Sequence, residues 1–424
     1  MSEVILLSSF LTSALILLYR QRVDLFLLAF ASNTIYGWQI LAGEIWVPPY
    51  NFPVTENSMH ILTIVFFSIG LFSIVNDLII NKWFSLAKNK IQNVKTSSNY
   101  QSWLANFLGY TSFFFAIILI FQAGTDLLYL SKTDLNARYS LTYSLFLSLP
   151  AGIGLVYGVY AKKRALILIC SLPLFLYILI GFRSVAIVAI VASLMVFSGS
   201  IKIISRKTIK ISLVLILVFL SFATYKQAYV PIKEGTFDFF ATEVSEDKRF
   251  DSTAEFLVWA AFSAEFGQIS SNLELTTSRD LSQYHSFSSV ILGSLPLIDD
   301  VGQRHNERFS DTIKEYANPG FSYGLGGSFW GELFVLGGIL AVSLSAFIIG
   351  FVLIFLNYLI FHRNLYILLY LATNFVFLHP KMDIYAIFGL VKNIFILLCI
   401  PMAIYFIYCE LLKKDFHEGI YNHK

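Results

Sequence analysis

Two residues in this chain stand where their side chains are costly. Arg183 is the single charge between Ala165 and Phe197. A cation near a membrane interior is expensive and usually faces a cavity or a partner. Its planar fork also matches phosphate oxygens. The plainer reading is an arginine that snorkels to the interface and orients a turn. Glu332 follows Gly324, Gly326, Gly327 and Gly331 and opens an apolar run. A partly dehydrated carboxylate there can act as a general base or bind hydroxyl groups. The plainer reading is an acid favoured by a helix N-terminal dipole, with Gly327 and Gly331 spaced for close helix packing. Further cations are Arg249, Arg279, Arg304, His305 and Arg308, with His379 and Lys381 later in the chain. Each alone reads as a solvated surface residue. As a set they put positive charge around a cavity, which suits an anionic, phosphate-bearing substrate. Lys392, followed by Asn393, lies inside the last apolar run as an ion-pair partner or part of a cavity wall.

The elements that position these residues are hydrophobic. Of 424 residues, 57% are hydrophobic and 13% charged, about half the charge of a soluble domain. This composition specifies an all-α polytopic membrane protein. Eleven spans are expected near 4–19, 23–41, 59–80, 103–121, 141–160, 165–181, 184–200, 209–228, 329–358, 364–378 and 384–408. The organisation is 1–228 with spans one to eight, 229–328 as one large loop, 329–408 with spans nine to eleven, and 409–424 as a tail. The first apolar run has Glu3 before it and Arg20 and Arg22 after it. That is the reverse of a signal peptide, so it reads as a retained span. Residues 165–197 as one helix would run about 50 Å, against a hydrocarbon core of ~30 Å. Two short helices joined at Gly181–Ser184 resolve this. Arg183 then lies in a turn recessed below the membrane surface.

Alternating the connections gives a strong charge split. One side receives Arg20, Arg22, Lys82, Lys88, Lys90, Lys95, Lys162, Lys163, Arg164 and the basic residues of 202–210. Arg363, Lys413, Lys414 and Lys424 complete it. That side is cytoplasmic. The other side receives the 43–58 and 122–140 loops, the 181–184 turn, the large loop and the 379–383 turn. The N-terminus is then outside and the C-terminus inside. About a hundred polar residues, 226–328, are a large outward investment for a pore or simple carrier and point to chemistry or recognition at that face. Within it, 252–275 should form a helix lying at the interface. Residues 285–300 form a second short apolar segment, and 304–316 a polar helix. Cys170, Cys399 and Cys409 form no disulfide framework or metal motif. No HExxH, GxSxG or P-loop pattern is present, so a metal-free, cofactor-free mechanism is the simpler inference. There is no nucleic-acid module.

Three local patterns resemble the O-antigen polymerases of the Wzy type. GFRS at 181–184 looks like that family's glycine–arginine–serine turn before a span. SSVILGSLPLIDD followed by a polar segment is similar to its loop. GLGGSFWGELFVLGGILAV resembles its glycine-rich approach, glutamate and glycine pair. Trp330 and Phe334 flank the glutamate here. Gly337–Gly338 stands where the family often has a glycine after an Asn-Phe pair.

The resemblance implies a fold related to C-type membrane glycosyltransferases, in the bacterial inner membrane, with the large loop and N-terminus periplasmic. It implies polymerisation of undecaprenyl-diphosphate-linked oligosaccharide repeat units. A sugar hydroxyl of the acceptor unit attacks the donor's anomeric carbon, and undecaprenyl diphosphate leaves. Partners are the lipid-linked donor and acceptor, the bilayer and a chain-length regulator. Arg183, with Arg249 or Arg138, would hold the diphosphate. Glu332 would orient or deprotonate the acceptor. Arg279, Arg304, His305 and Lys381 would contact substrate. The alternatives are an O-antigen ligase, which shares the donor, and a lipid-linked oligosaccharide flippase. A flippase should show two similar halves and short loops, and neither feature is present here.

Overall fold

The computed structural model describes residues 1–47, 50–87, 95–130, 135, 138, 143–198, isolated positions in 210–221, 267–286, 290, 309–313, 327–392 and most of 394–405. These residues are mostly helical. Four helices are long and apolar enough to cross a membrane: Ser2–Arg20, Glu56–Ile79, Asn99–Ala123 and Phe329–His362. Four shorter apolar helices accompany them: Leu25–Tyr36, Leu147–Tyr160, Arg164–Ile180 and Ser184–Val196. The eighth expected span and the tail lie largely outside the described residues.

In chain order the elements begin with α1 (Ser2–Arg20), α2 (Leu25–Tyr36) and α3 (Trp38–Ala42). The expected second span therefore breaks at Gly37. A hairpin of β1 (Glu44–Val47) and β2 (Tyr50–Pro53) follows, antiparallel, with Ile45 opposite Phe52. The hairpin falls in the 43–58 connection between the second and third expected spans, and the described residues stay mostly helical. The run EIWV alternates β-branched and aromatic residues, which favours the extended backbone that pairs with Tyr50–Pro53. Then come α4 (Glu56–Ala87), α5 (Lys95–Ala123), α6 (Asp126–Tyr129), α7 (Tyr143–Tyr160), α8 (Arg164–Ile180) and α9 (Arg183–Ser198). The large loop contributes α10 (Gln268–Ser278) and α11 (Phe309–Thr312). The last described helices are α12 (Phe329–Asn357) and α13 (Leu369–Leu378), followed by a helical segment from 384.

Hydroxyl-to-carbonyl bonds link the apolar helices, a common device where water supplies no competing partners. Ser9 and Ser13 of α1 donate to the carbonyls of Thr63 and Phe66 on α4, at 3.0 and 2.7 Å. Ser112 of α5 donates to Leu147 on α7, and Ser32 of α2 to Phe377 on α13. The pairings fix direction. Ser9 meets Thr63 and Arg20 meets Asp77, so α1 and α4 run parallel. Phe72 of α4 packs edge-on against Phe347 and Phe351 of α12, and Asn357 at the end of α12 reaches Asp24. One end of this bundle is closed by Arg20, whose side chain is 4% exposed and bonds Asp24 at 2.7 Å and Asp77 at 2.9 Å. Outward along α12, Leu340, Leu344, Phe347, Phe351 and Phe355 are all exposed. Such a continuous apolar stripe suits hydrocarbon rather than water.

Residues 164–198 fold as the length argument requires. α8 ends at Gly181, held left-handed at φ 104°, and α9 begins at Arg183. α12 departs from a single rod. Gly337 and Gly338 leave helical geometry, with Gly338 at φ 62° and ψ −157°. A left-handed value is open to glycine and strained for other residues. The break separates a short segment, 329–336, from 339–357. The latter is about 28 Å long at 1.5 Å per residue, which matches the ~30 Å hydrocarbon core. Glu332 therefore rides on a separate segment ahead of the membrane-length helix.

Candidate functional site

The short first segment of α12 is fixed at its start by Ser328. The Ser328 Oγ accepts from the Gly331 N–H at 3.3 Å, as an N-cap does. Bare glycines let neighbours come close. A Cβ on Gly331 would lie 2.4 Å from Thr276 Oγ1 on α10. One on Gly327 would lie 2.7 Å from the Asp383 nitrogen. The packing role read for these glycines is therefore present, and their partners are the loop helix and the 382–383 turn.

Glu332 is the meeting point. Its side chain is 1% exposed. Oε1 lies 2.8 Å from Nε2 of His285, which comes from the large loop. Oε2 accepts from the Ile384 backbone N–H. A buried carboxylate is tolerable only when paired and hydrogen-bonded, and here both oxygens are engaged. Glu332 thus joins three parts of the chain: the large loop, the start of α12 and the start of the final helical segment. Asp383, also buried, starts that segment by accepting from the Ala386 N–H at 2.7 Å.

The large loop is bound to the helices by a buried polar network. Glu274 of α10 accepts from the Thr55 N–H at 3.0 Å and from the Thr55 hydroxyl. Thr277 bonds Ser58 at 2.7 Å, and Ser270 donates to the Tyr36 carbonyl. The expected loop helix thus exists over 268–278, docked across the starts of α4 and α12. The remainder of 252–275, and most of 285–300 and 304–316, lie outside the described residues.

Behind Glu332, Trp330 donates to Asn33 Oδ1 at 2.9 Å. His379 packs edge-on to Phe329 and Trp330 and stacks on Phe375. Its Nδ1 lies 2.9 Å from the Val376 carbonyl, and Nε2 has no hydrogen-bond partner among the described residues. Burial pushes the imidazole down to about 4, against an ordinary 6.5. The unfolded chain then takes up this proton below about 6.5 while the folded protein refuses it until about 4. Stability is full above 6.5 and falls as pH drops through that window, by up to about 3 kcal/mol from this residue. Melting of the purified protein from pH 7.5 to 4.5 should therefore show a steeper decline than melting of His379→Phe.

The other expected residues divide. Arg183 heads α9. Arg138 is exposed and pairs with Asp126 at 3.2 Å. Leu127 and Leu135 of the same loop pack with Tyr177, Ile180 and Phe182 at the Gly181 turn, so Arg138 and Arg183 belong to adjoining segments. Arg279 is exposed just past α10. Lys381 is half-buried in a turn three residues before Ile384. Lys392 is exposed rather than enclosed. Arg249, Arg304 and His305 lie outside the described residues. The sequence reading passed over His285, Asp383, Asn33 and Glu274. None stands in a motif, and each owes its place to a contact across more than forty residues of chain or to a helix start.

Compared with models of protein families, with curated proteins and with solved structures, the chain matches none.

Proposed function

We propose that the chain is a Wzy-type polymerase, a glycosyltransferase that joins undecaprenyl-diphosphate-linked oligosaccharide repeat units at the periplasmic face of the inner membrane. One observation carries the reading: the large polar loop delivers His285 onto Glu332, at the end of the bundle away from the buried Arg20 cluster. A carboxylate–imidazole pair at that end supports the reading, because the connections expected there are not basic. The short segment ahead of a membrane-length helix fits a site at the level of lipid headgroups.

The chemistry follows. The acceptor hydroxyl oxygen forms a bond to the donor's anomeric carbon, and the bond to the diphosphate oxygen breaks. The hydroxyl proton passes to Glu332, and undecaprenyl diphosphate departs with the bonding pair. Charge developing on the diphosphate needs cations. Arg183 supplies one, with Arg138 or Arg249. Each oxygen of Glu332 carries one hydrogen bond, and a carboxylate has about four lone-pair sites, so an acceptor hydroxyl can reach it beside His285.

Deleting the gene and running lipopolysaccharide on a gel tests this. A polymerase loss leaves core bearing one repeat unit. Unmodified core would indicate a ligase, and absence of exported unit a flippase. Complementation with Arg183→Ala, expressed at normal level, should lower polymer at least about a hundredfold. Full-length polymer from that variant would remove Arg183 from the mechanism.

A further inference from the structure

Beside the Glu332–His285 pair lies an open groove of about 310 Å³, at the small end of ligand sites. One wall is the end of α10 and the turn after it, and the other is Phe334 and Val335, on the same short segment as Glu332. Its back is firm. Leu281 is buried against Phe309 and Ile313, with Val335 packed on them, and the His285 ring lies 4.8 Å from Phe309. Past the break, the space around Gly338 is open.

The polar groups in the groove are arranged rather than scattered. The Ser282 N–H and hydroxyl both donate to Asp280 Oδ1, at 3.1 and 2.6 Å. No described residue bonds Oδ2. The hydroxyl of Ser282, with its backbone N–H, holds the Asp280 carboxyl below the usual carboxylate range. Ser278 donates to the Leu275 carbonyl at 3.3 Å, which leaves its oxygen able to accept. Arg279 and Asp280 are neighbours of opposite sign, so the groove has no excess positive charge for a diphosphate. It does have fixed acceptors, one fork of donors and the half-buried ring of Phe334.

We infer that this groove binds the neutral sugar portion of a glycan, with Asp280 and Ser278 accepting its hydroxyls and Phe334 packing on the apolar face of a pyranose ring. This rests on the polymerase reading for which glycan is delivered, and the groove then holds the acceptor's sugars while Arg183 serves the diphosphate elsewhere. Arg279 is reassigned from anion binding to sugar recognition.

The test uses the full chain in detergent, titrated by saturation-transfer NMR. The probes are neutral oligosaccharides built from hexoses, 6-deoxyhexoses and N-acetylhexosamines, with inorganic pyrophosphate as competitor. At least one oligosaccharide should bind, and Asp280→Asn and Phe334→Ala should each weaken it about tenfold, a loss of one good contact. Pyrophosphate should not displace it. Asp280 is exposed, so its variant keeps the test valid if Phe334→Ala fails to fold. The inference is overturned if nothing in the panel binds up to about 10 mM, if Asp280→Asn binds as tightly as the wild type, or if pyrophosphate competes. Groove-dependent binding by a protein that makes no polymer would sink the polymerase reading and leave the sugar site standing. Polymer formation with groove-independent binding would do the reverse.

Discussion

Glu332→Ala protein should lose both polymer formation and several kcal/mol of stability, whereas Glu332→Gln should lose the activity alone. The alanine variant leaves the buried His285 and the half-buried Ile384 N–H without their shared acceptor. Breaking a buried pair by removing one partner typically costs about 3–5 kcal/mol. Glutamine keeps the shape, since its amide oxygen can accept from Ile384 while its NH2 donates to His285 Nε2. It has no basicity, so general-base catalysis worth roughly 10²–10⁴ in rate disappears. Melting temperature and polymer yield, measured on the same preparations, separate the two roles. A glutamine variant with normal polymer yield would leave Glu332 as a tie between the loop and the helices and no more.

Gly152→Ala should damage the fold at a site remote from chemistry. A Cβ there would sit 2.2 Å from Cζ of Tyr370 and about as close to its two neighbouring ring atoms. Tyr370 is fully buried on α13, so the ring has nowhere to retreat. Overpacking of this kind costs about 1–3 kcal/mol, and more when the neighbour is rigid. The expected result is a lowered melting temperature in detergent, with poor expression of the bulkier Gly152→Val. Adding Tyr370→Leu should recover part of the loss, because the smaller side chain vacates the ring plane. An alanine variant that melts like the wild type would show that α7 and α13 separate more readily than their contact implies.

The parts of this fold that were legible in sequence are those set by length and local pattern. Residues 165–197 were too long for one crossing and carried one charge, so two helices and a turn at Gly181 followed. The basic and non-basic connections separate cleanly in the sequence, and the contacts of α1, α4 and α12 show that these three helices run in one direction. The glycines before Glu332 read correctly as close-approach positions. Other features depend on what meets across the chain. Gly337–Gly338 lies in an apolar run that reads as one helix, and nothing local gives Gly338 its left-handed backbone. The hairpin at 44–53 was hidden by its three prolines, a residue that usually demotes a strand. His285 is a lone histidine in a polar turn, and its value comes from Glu332, which lies far along the chain. Asn33 and Trp330 are bonded across 297 residues of chain, beyond the reach of any periodicity.

The central claim is that a buried carboxylate at the membrane surface, bonded to His285 of the large loop, catalyses transfer between lipid-linked glycans. Purified protein reconstituted in lipid vesicles with undecaprenyl-diphosphate-linked repeat units tests it most directly, with products resolved by gel or mass spectrometry. The account predicts a ladder of lipid-linked oligomers and release of undecaprenyl diphosphate, both lost in Glu332→Gln and Arg183→Ala. Unchanged monomeric repeat units with folded wild-type protein, or an undiminished ladder from both variants, would contradict it.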